Sequence, residues 1–401
     1  MRTRISGTGR GPGSRERVRL LAFYTNEYLR DHRTIGGAER RFLSVVKYSR
    51  EMGIEFLELA FRESHLPEDS LPCPTYLVSR HVTLKTVIWA IQGMLIARRH
   101  RCDGVYAYTD NSRHVVLPSF LVSLFTRKPL FVVVHDDGRK FEDLMPVSSY
   151  LKNAVKSKKP PIIGPVASTL SSALRKWICE YHAVCLCGSV LARRYALEVL
   201  RARRCQLTGN GVDSEWFSTG ESQKQYTASF AGRIEKLKGI DTLLYAWKRV
   251  VAKYPEAKLV LVGPIKETKW NGLVSDLGIS GNVILHGFVT DSEERRILAS
   301  SKLFVFPSRH EGFGLAVAEA MAIGVPCVIS DHPALVENFS SAAVIFPNNQ
   351  EQLLASAILD LLDQPSKMQA MIEAGRKLVS SMRWENVCTL EASAITQAVR
   401  S

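Results

Sequence analysis

The chain contains no Cys-x-x-Cys pair, no Cys/His cluster at zinc-binding spacing, no Asp-x-Asp, no Gly-x-Gly-x-x-Gly and no run of eighteen apolar residues. Each absence removes a class of protein. Without those spacings no structural zinc site and no thioredoxin-like redox motif is expected. The eight cysteines are scattered, and Cys185 and Cys187 alternate within AVCLC, where they read as small hydrophobes on one face of a buried strand. They are expected to be reduced thiols of a cytosolic protein. Without a long apolar run, no helix is predicted to span a bilayer. The nearest candidate, residues 83–99, has Lys85 near its start and an arginine pair at its end, and reads as a core helix. No leader is read in MRTRISGTGRGPGSRE, residues 1–16, which are expected to form a disordered basic tail. The missing glycine fingerprint argues against a nicotinamide or flavin enzyme. The missing Asp-x-Asp argues against a nucleotide diphosphate held through Mg²⁺ or Mn²⁺. No catalytic metal and no cofactor are expected.

What is present is an alternation of short β-branched runs with helical stretches. It spans 401 residues, of which 46% are hydrophobic, enough for two cores. Twelve strands are predicted: residues 18–24, 54–60, 104–109, 130–135, 183–189 and 204–210, then 227–233, 258–263, 282–287, 303–308, 326–331 and 342–347. The runs are apolar on both faces, as central parallel strands require. The expected organisation is a first α/β domain over 17–215, a second over 216–382, and an amphipathic helix over 383–401 that could return to the first. Residues 141–168 form the long irregular stretch.

Charge is distributed unevenly. Residues 1–215 hold 34 basic and 20 acidic side chains, whereas residues 216–401 hold 19 of each, so the net +14 lies wholly in the first part. An anionic partner is expected there, either phosphates or an anionic membrane surface. Nucleic acid fits poorly, since aromatic-interleaved basic patches are missing.

Four segments carry candidate chemistry. In PSRHEGFGLAVAEAMAIGVP, residues 307–326, Gly312 and Gly314 follow a strand and open an Ala-rich helix, whose N-terminus suits a diphosphate. Glu311 lies in that loop, and Glu319 lies in an otherwise apolar helix, where a carboxylate needs a partner: ligand hydroxyls or a structural cation. In AGRIEKLKG, Arg233 and Lys238 follow a strand end, on the side where parallel sheets bind ligands. In RTIGGAERRF, Gly36 and Gly37 turn the chain into another helix. In VVVHDDG, His135, Asp136 and Asp137 close a buried strand, where a His could bond a sugar hydroxyl and an Asp could act as base.

Together these segments resemble glycosyltransferase family 4. GRIEKLKG, LVLVG, NVILHGFV and PSRHEGFGLAVAEAMAIGVPCV stand in the family's order, with Glu311 and Glu319 as its E-x7-E pair. GGAER, His135 and NGVD match more loosely. The resemblance implies a GT-B fold, two doubly wound Rossmann-like domains facing a central cleft. It also implies transfer from a UDP- or GDP-sugar with retention of configuration. Arg233 and Lys238 would bind the donor diphosphate, Glu319 the ribose, and Glu311 would lie beside the donor sugar. Phe313, Gly314 and Leu315 would offer backbone near sugar and phosphate, and Gly287 and Phe288 would line the base. Gly36 and Gly37 would meet the phosphate from the other domain, and His135 the sugar near its reacting carbon. The acceptor would be a glycan or polyprenyl-linked glycan, reached by a protein peripheral to the inner membrane face, with the basic segment 152–160 as docking element. The alternatives are a sugar-nucleotide epimerase or phosphorylase, a sugar-nucleotide-binding pseudoenzyme and a basic nucleic-acid-binding protein.

Overall fold

The computed structural model describes residues 17–24, 37–61, 73–78, 85–108, 113–136, 163–220, 222–265 and 267–401. The expected tail 1–16, Gly36, Asp137 and the segment 152–160 lie outside the described residues. The first domain runs β1 (Val18–Tyr24), α1 (Gly37–Ser49), β2 (Ile54–Phe61), β3 (Thr75–Val78), α2 (Lys85–Arg99), β4 (Gly104–Ala107), α3 (Arg113–Thr126), β5 (Leu130–Val134), α4 (Ile163–Tyr181), β6 (Ala183–Cys187), α5 (Val190–Glu198) and β7 (Cys205–Leu207). Its strands form one parallel sheet in the order β3-β2-β1-β4-β5-β6-β7.

The unbroken apolar runs arise because both faces of this sheet are covered. In β1, Leu21 and Phe23 enter one core while Leu20 and Ala22 enter the other. In β5, Val132 and Val134 separate in the same way from Phe131 and Val133. The prediction missed β3, a four-residue edge strand just after Pro74, where two nearby prolines suggest a turn. It also placed residues 163–168 in an irregular stretch, but α4 starts at Ile163.

The second domain runs α6 (Ser214–Phe217), β8 (Tyr226–Ala231), α7 (Ile240–Lys253), β9 (Leu259–Val262), α8 (Lys269–Asp276), β10 (Val283–Gly287), α9 (Asp291–Ala299), β11 (Ser301–Phe306), α10 (Leu315–Ile323), β12 (Cys327–Ser330), α11 (Pro333–Phe339), β13 (Ala343–Phe346), α12 (Glu351–Leu362) and α13 (Pro365–Val379). Its sheet is parallel in the order β10-β9-β8-β11-β12-β13. Strand order reverses between β1 and β4 in one sheet and between β8 and β11 in the other. At such a reversal, neighbouring crossovers leave in opposite directions and open a crevice at the carboxyl ends of the strands.

The chain crosses between domains twice, and the crossings run side by side, with Val212 bridging to Arg383. Val212 and Trp216 already belong to the second core. The last helix, α14 (Trp384–Arg400), presents Trp384, Val387, Cys388, Ala392 and Ile395 to the first domain, where they join Phe42, Val45 and Val46 of α1. Glu391 on that face is fully buried. It accepts from Arg41 Nη2 at 2.6 Å and from the Tyr106 hydroxyl at 2.6 Å. Among the described residues, no helix is long and apolar enough to cross a membrane.

Candidate active site

The segments singled out in the sequence meet where the crevices of the two sheets face each other. After β8 the chain passes Arg233, makes a tight turn over Lys236–Lys238 and enters α7. After β11 the loop 307–314 carries Glu311 and leads into α10, with Gly314 as its N-cap at φ 98°. That backbone conformation is open to glycine and costly for a residue with a Cβ. Gly287 ends β10, and Phe288 beside it is exposed.

Lys238 and Glu311 are in contact. Lys238 Nζ donates to Glu311 Oε1 and, at 3.2 Å, to the carbonyl of His310. Ser308 donates to the same carboxylate oxygen at 3.0 Å. Arg233 pairs with Glu235 at 3.1 Å. A cation and a carboxylate thus stand together at the switch point of the second sheet, next to the open N-terminus of α10. This arrangement can receive a diphosphate and the group attached to it.

Glu319 projects from α10 and is 4% exposed. Its carboxyl is pushed up to about 8, first by burial, with Arg40 opposing and Glu294 and Asp291 adding to the rise. Arg40 comes from α1 of the other domain and donates from Nη1 to Glu319 Oε1 at 3.0 Å. Its Nη2 donates to Asp291 at 2.8 Å and to Glu294 at 3.1 Å. Of the two partners the sequence left open for Glu319, this structure holds the cation.

His135 follows β5 on the first domain. Its Nε2 donates to the Tyr108 carbonyl at 2.8 Å. Burial, and next the Arg41 guanidinium, push its pKa down to about 4. It is therefore a neutral imidazole at physiological pH, with Nδ1 as its acceptor nitrogen. The backbone of His135 lies against the loop of the second domain. A Cβ on Gly312 would stand 2.3 Å from the His135 carbonyl oxygen, so glycine is what allows the two loops to touch. Asp136 and His310 approach to 4.0 Å beside that contact. Arg194 and Glu337 add an ion pair between the domains at 2.5 Å.

Arg40, Asp291 and Glu294 were not among the residues expected to form the site. Arg40 had a local signal, one turn into the helix opened by Gly37. Glu294 had none: Thr290 and Glu293 form a capping box, which makes DSEE read as an ordinary solvated helix start.

Two Rossmann-like domains with the crevices of their parallel sheets opposed define a GT-B fold. Anabaena HepE, crystallised with UDP and glucose, superposes with a TM-score of 0.73 over 95% of this chain and 99% of its own, at 18% identity. Residues 213–378 match the model of the family Glycosyl transferases group 1. The MMP alpha-(1->4)-mannosyltransferase of Mycolicibacterium hassiacum is 30% identical over 47% of this chain and 47% of its own length. The chain spans about half the length of several curated relatives that it matches, as in that case. The GDP-mannose:cellobiosyl-diphosphopolyprenol alpha-mannosyltransferase of Xanthomonas oryzae is 24% identical over 81% of this chain and 83% of its own.

Proposed function

We propose that the protein is a retaining glycosyltransferase that moves a hexosyl group from a UDP- or GDP-sugar on the second domain to an acceptor on the first, without a metal. The observation that carries this reading is the meeting of Lys238, Glu311 and the glycine turn of α10 at one switch point, with His135 facing them across the cleft. The bond from the anomeric carbon to the phosphate oxygen breaks, and the acceptor oxygen bonds to that carbon from the same face. The acceptor proton passes to the departing phosphate. Arg233 and Lys238 offset the charge that develops on the leaving diphosphate. Glu319 takes the ribose hydroxyls and Glu311 lies beside the sugar. The backbone of Phe313, Gly314 and Leu315 runs along sugar and phosphate. Gly287 and Phe288 border the base, and Gly37, at the start of α1, meets the phosphate from the first domain. His135, neutral, accepts a sugar hydroxyl at Nδ1. The test is a thermal-shift panel of UDP, GDP, ADP and their sugar conjugates, with and without EDTA. One nucleotide family at 100 times its Kd should stabilise by ~2.7 kcal/mol, a few degrees, with EDTA making no difference. No shift at millimolar concentration favours the binding-module and pseudoenzyme readings instead.

The acceptor we propose is a polyprenyl-linked glycan, the class named for the Xanthomonas relative, met at the inner membrane face. The outer surfaces of α2, α3 and α4 support this. They expose Val87, Ile91 and Leu95 at helical spacing, with Leu124, Phe125, Trp177 and Tyr181. Exposed Arg98, Arg99, Arg101, Arg127 and Lys128 lie close in sequence to these apolar positions. An apolar face rimmed with cations suits an anionic lipid surface, to which each cation contributes ~1 kcal/mol. The protein should float with anionic vesicles and not with zwitterionic ones, and Leu95→Glu with Phe125→Glu should abolish flotation. Flotation that the pair leaves unchanged would remove this face from the reading.

A further inference from the structure

Among the described residues, Arg40 is the cation that bonds the three carboxylates Asp291, Glu294 and Glu319, and it belongs to the opposite domain. Glu294 and Glu319 are both buried, at 8% and 4% exposure. Without Arg40, helices α9 and α10 would set three acids against one another with no counter-charge. Both terminal nitrogens are used: Nη2 ties Asp291 to Glu294 while Nη1 holds Oε1 of Glu319. This engages one oxygen of Glu319 and leaves Oε2 to accept from a ligand. A guanidinium can span carboxylates on two helices in this way, whereas an ammonium offers one point charge.

We propose that Arg40 is a positioning residue for the donor. It reaches across the cleft to fix Glu319 in the orientation that a nucleotide ribose requires, so that the carboxylate is competent only when the domains are closed. This rests on the donor site proposed above. Domain closure and nucleotide recognition then share one side chain, and the first domain contributes to donor affinity without touching the ribose.

The sign of the pH effect follows from the charged groups facing Glu319. Arg40 of α1 favours its ionised form, while Asp291 and Glu294 of α9 and burial oppose it. Removing Arg40 raises the carboxyl further, so ribose recognition by the anion shifts to higher pH.

The experiment is titration of UDP-glucose and GDP-mannose, whose diphosphates keep a fixed charge over pH 6–9, against native protein, Arg40→Gln, Arg40→Lys, Glu319→Gln and the double variant Arg40→Gln/Glu319→Gln. The sugar nucleotide that binds should do so about tenfold more weakly to Arg40→Gln at pH 7, with part of the loss recovered as pH rises. Arg40→Lys should recover some of the affinity, and Arg40→Gln should add nothing in the Glu319→Gln background. A merely structural role predicts a loss that is independent of pH and persists in the double variant. Equal or tighter binding by Arg40→Gln would mean that Arg40 blocks the site, and would overturn the proposal while the donor site stands. If native protein binds neither sugar nucleotide, the donor reading and this inference fall together.

Discussion

Lys238→Ala is expected to lower the rate of sugar transfer by ~10²–10³-fold without unfolding the protein, the loss seen when one preorganised stabiliser of developing charge is removed. Lys238 is held in place before any ligand arrives. It sits in the turn between β8 and α7, is 13% exposed, and is bonded to Glu311 and to the carbonyl of His310. A departing diphosphate gains negative charge as the glycosidic bond lengthens, and a fixed cation answers that charge without reorganisation. The alanine variant also strips Glu311 of its counter-ion and leaves a bare carboxylate facing a diphosphate. Two separable effects follow. The fall should appear chiefly in kcat, and nucleotide affinity should weaken as well. Glu311→Gln added to Lys238→Ala should restore part of the affinity, because the repelling charge has gone, and should restore none of the rate. A rise in KM at constant kcat would show that Lys238 binds the ground state and the transition state equally, and would remove it from the chemistry.

The features that the sequence made readable are the ones that depend on neighbours in the chain. A strand buried on both faces must be apolar throughout, so runs such as LFVVV and LVLV announce central parallel strands, and the glycine turns after them announce the ligand side. Glu311, Lys238 and His135 could be picked out because each follows such a strand within a few residues. The edge strand β3 has no such run and follows prolines, and it passed unseen. Contacts across the cleft lack any local trace. Arg40 and Glu319 are 279 positions apart, and nothing in GGAER specifies the acids it will meet. The loops His135–Asp136 and His310–Gly312 could each be placed at a strand end, but that they touch depends on how the two domains face each other. One long-range partner did leave a mark. In α14, Glu391 occupies the apolar stripe formed by Cys388, Ala392 and Ile395. A carboxylate in that position requires a buried counter-ion, and a search among the basic residues of the first domain could have found Arg41.

That buried pair sets the second large expectation, a loss of about 3–5 kcal/mol in the stability of the first domain on Glu391→Ala. Arg41 is 1% exposed, and it also donates from Nη2 to the Thr208 hydroxyl at 3.1 Å. Tyr106 also gives its hydroxyl proton to Glu391. Truncation leaves a buried guanidinium without its carboxylate, and the cost is that of the stranded ion rather than of the lost bonds. In a domain of this size the melting transition should fall by roughly 10 °C. Arg41→Met combined with Glu391→Leu should recover most of the loss, because an apolar pair of similar volume removes both desolvation costs together. The residue lies in the last helix of the chain, yet its partners lie in the first domain. The transition that moves in calorimetry should therefore be the one that nucleotide does not shift directly. If Glu391→Ala lowers the nucleotide-stabilised transition instead, α14 unfolds with the second domain, and its packing on the first domain stabilises that transition rather than the first domain's own.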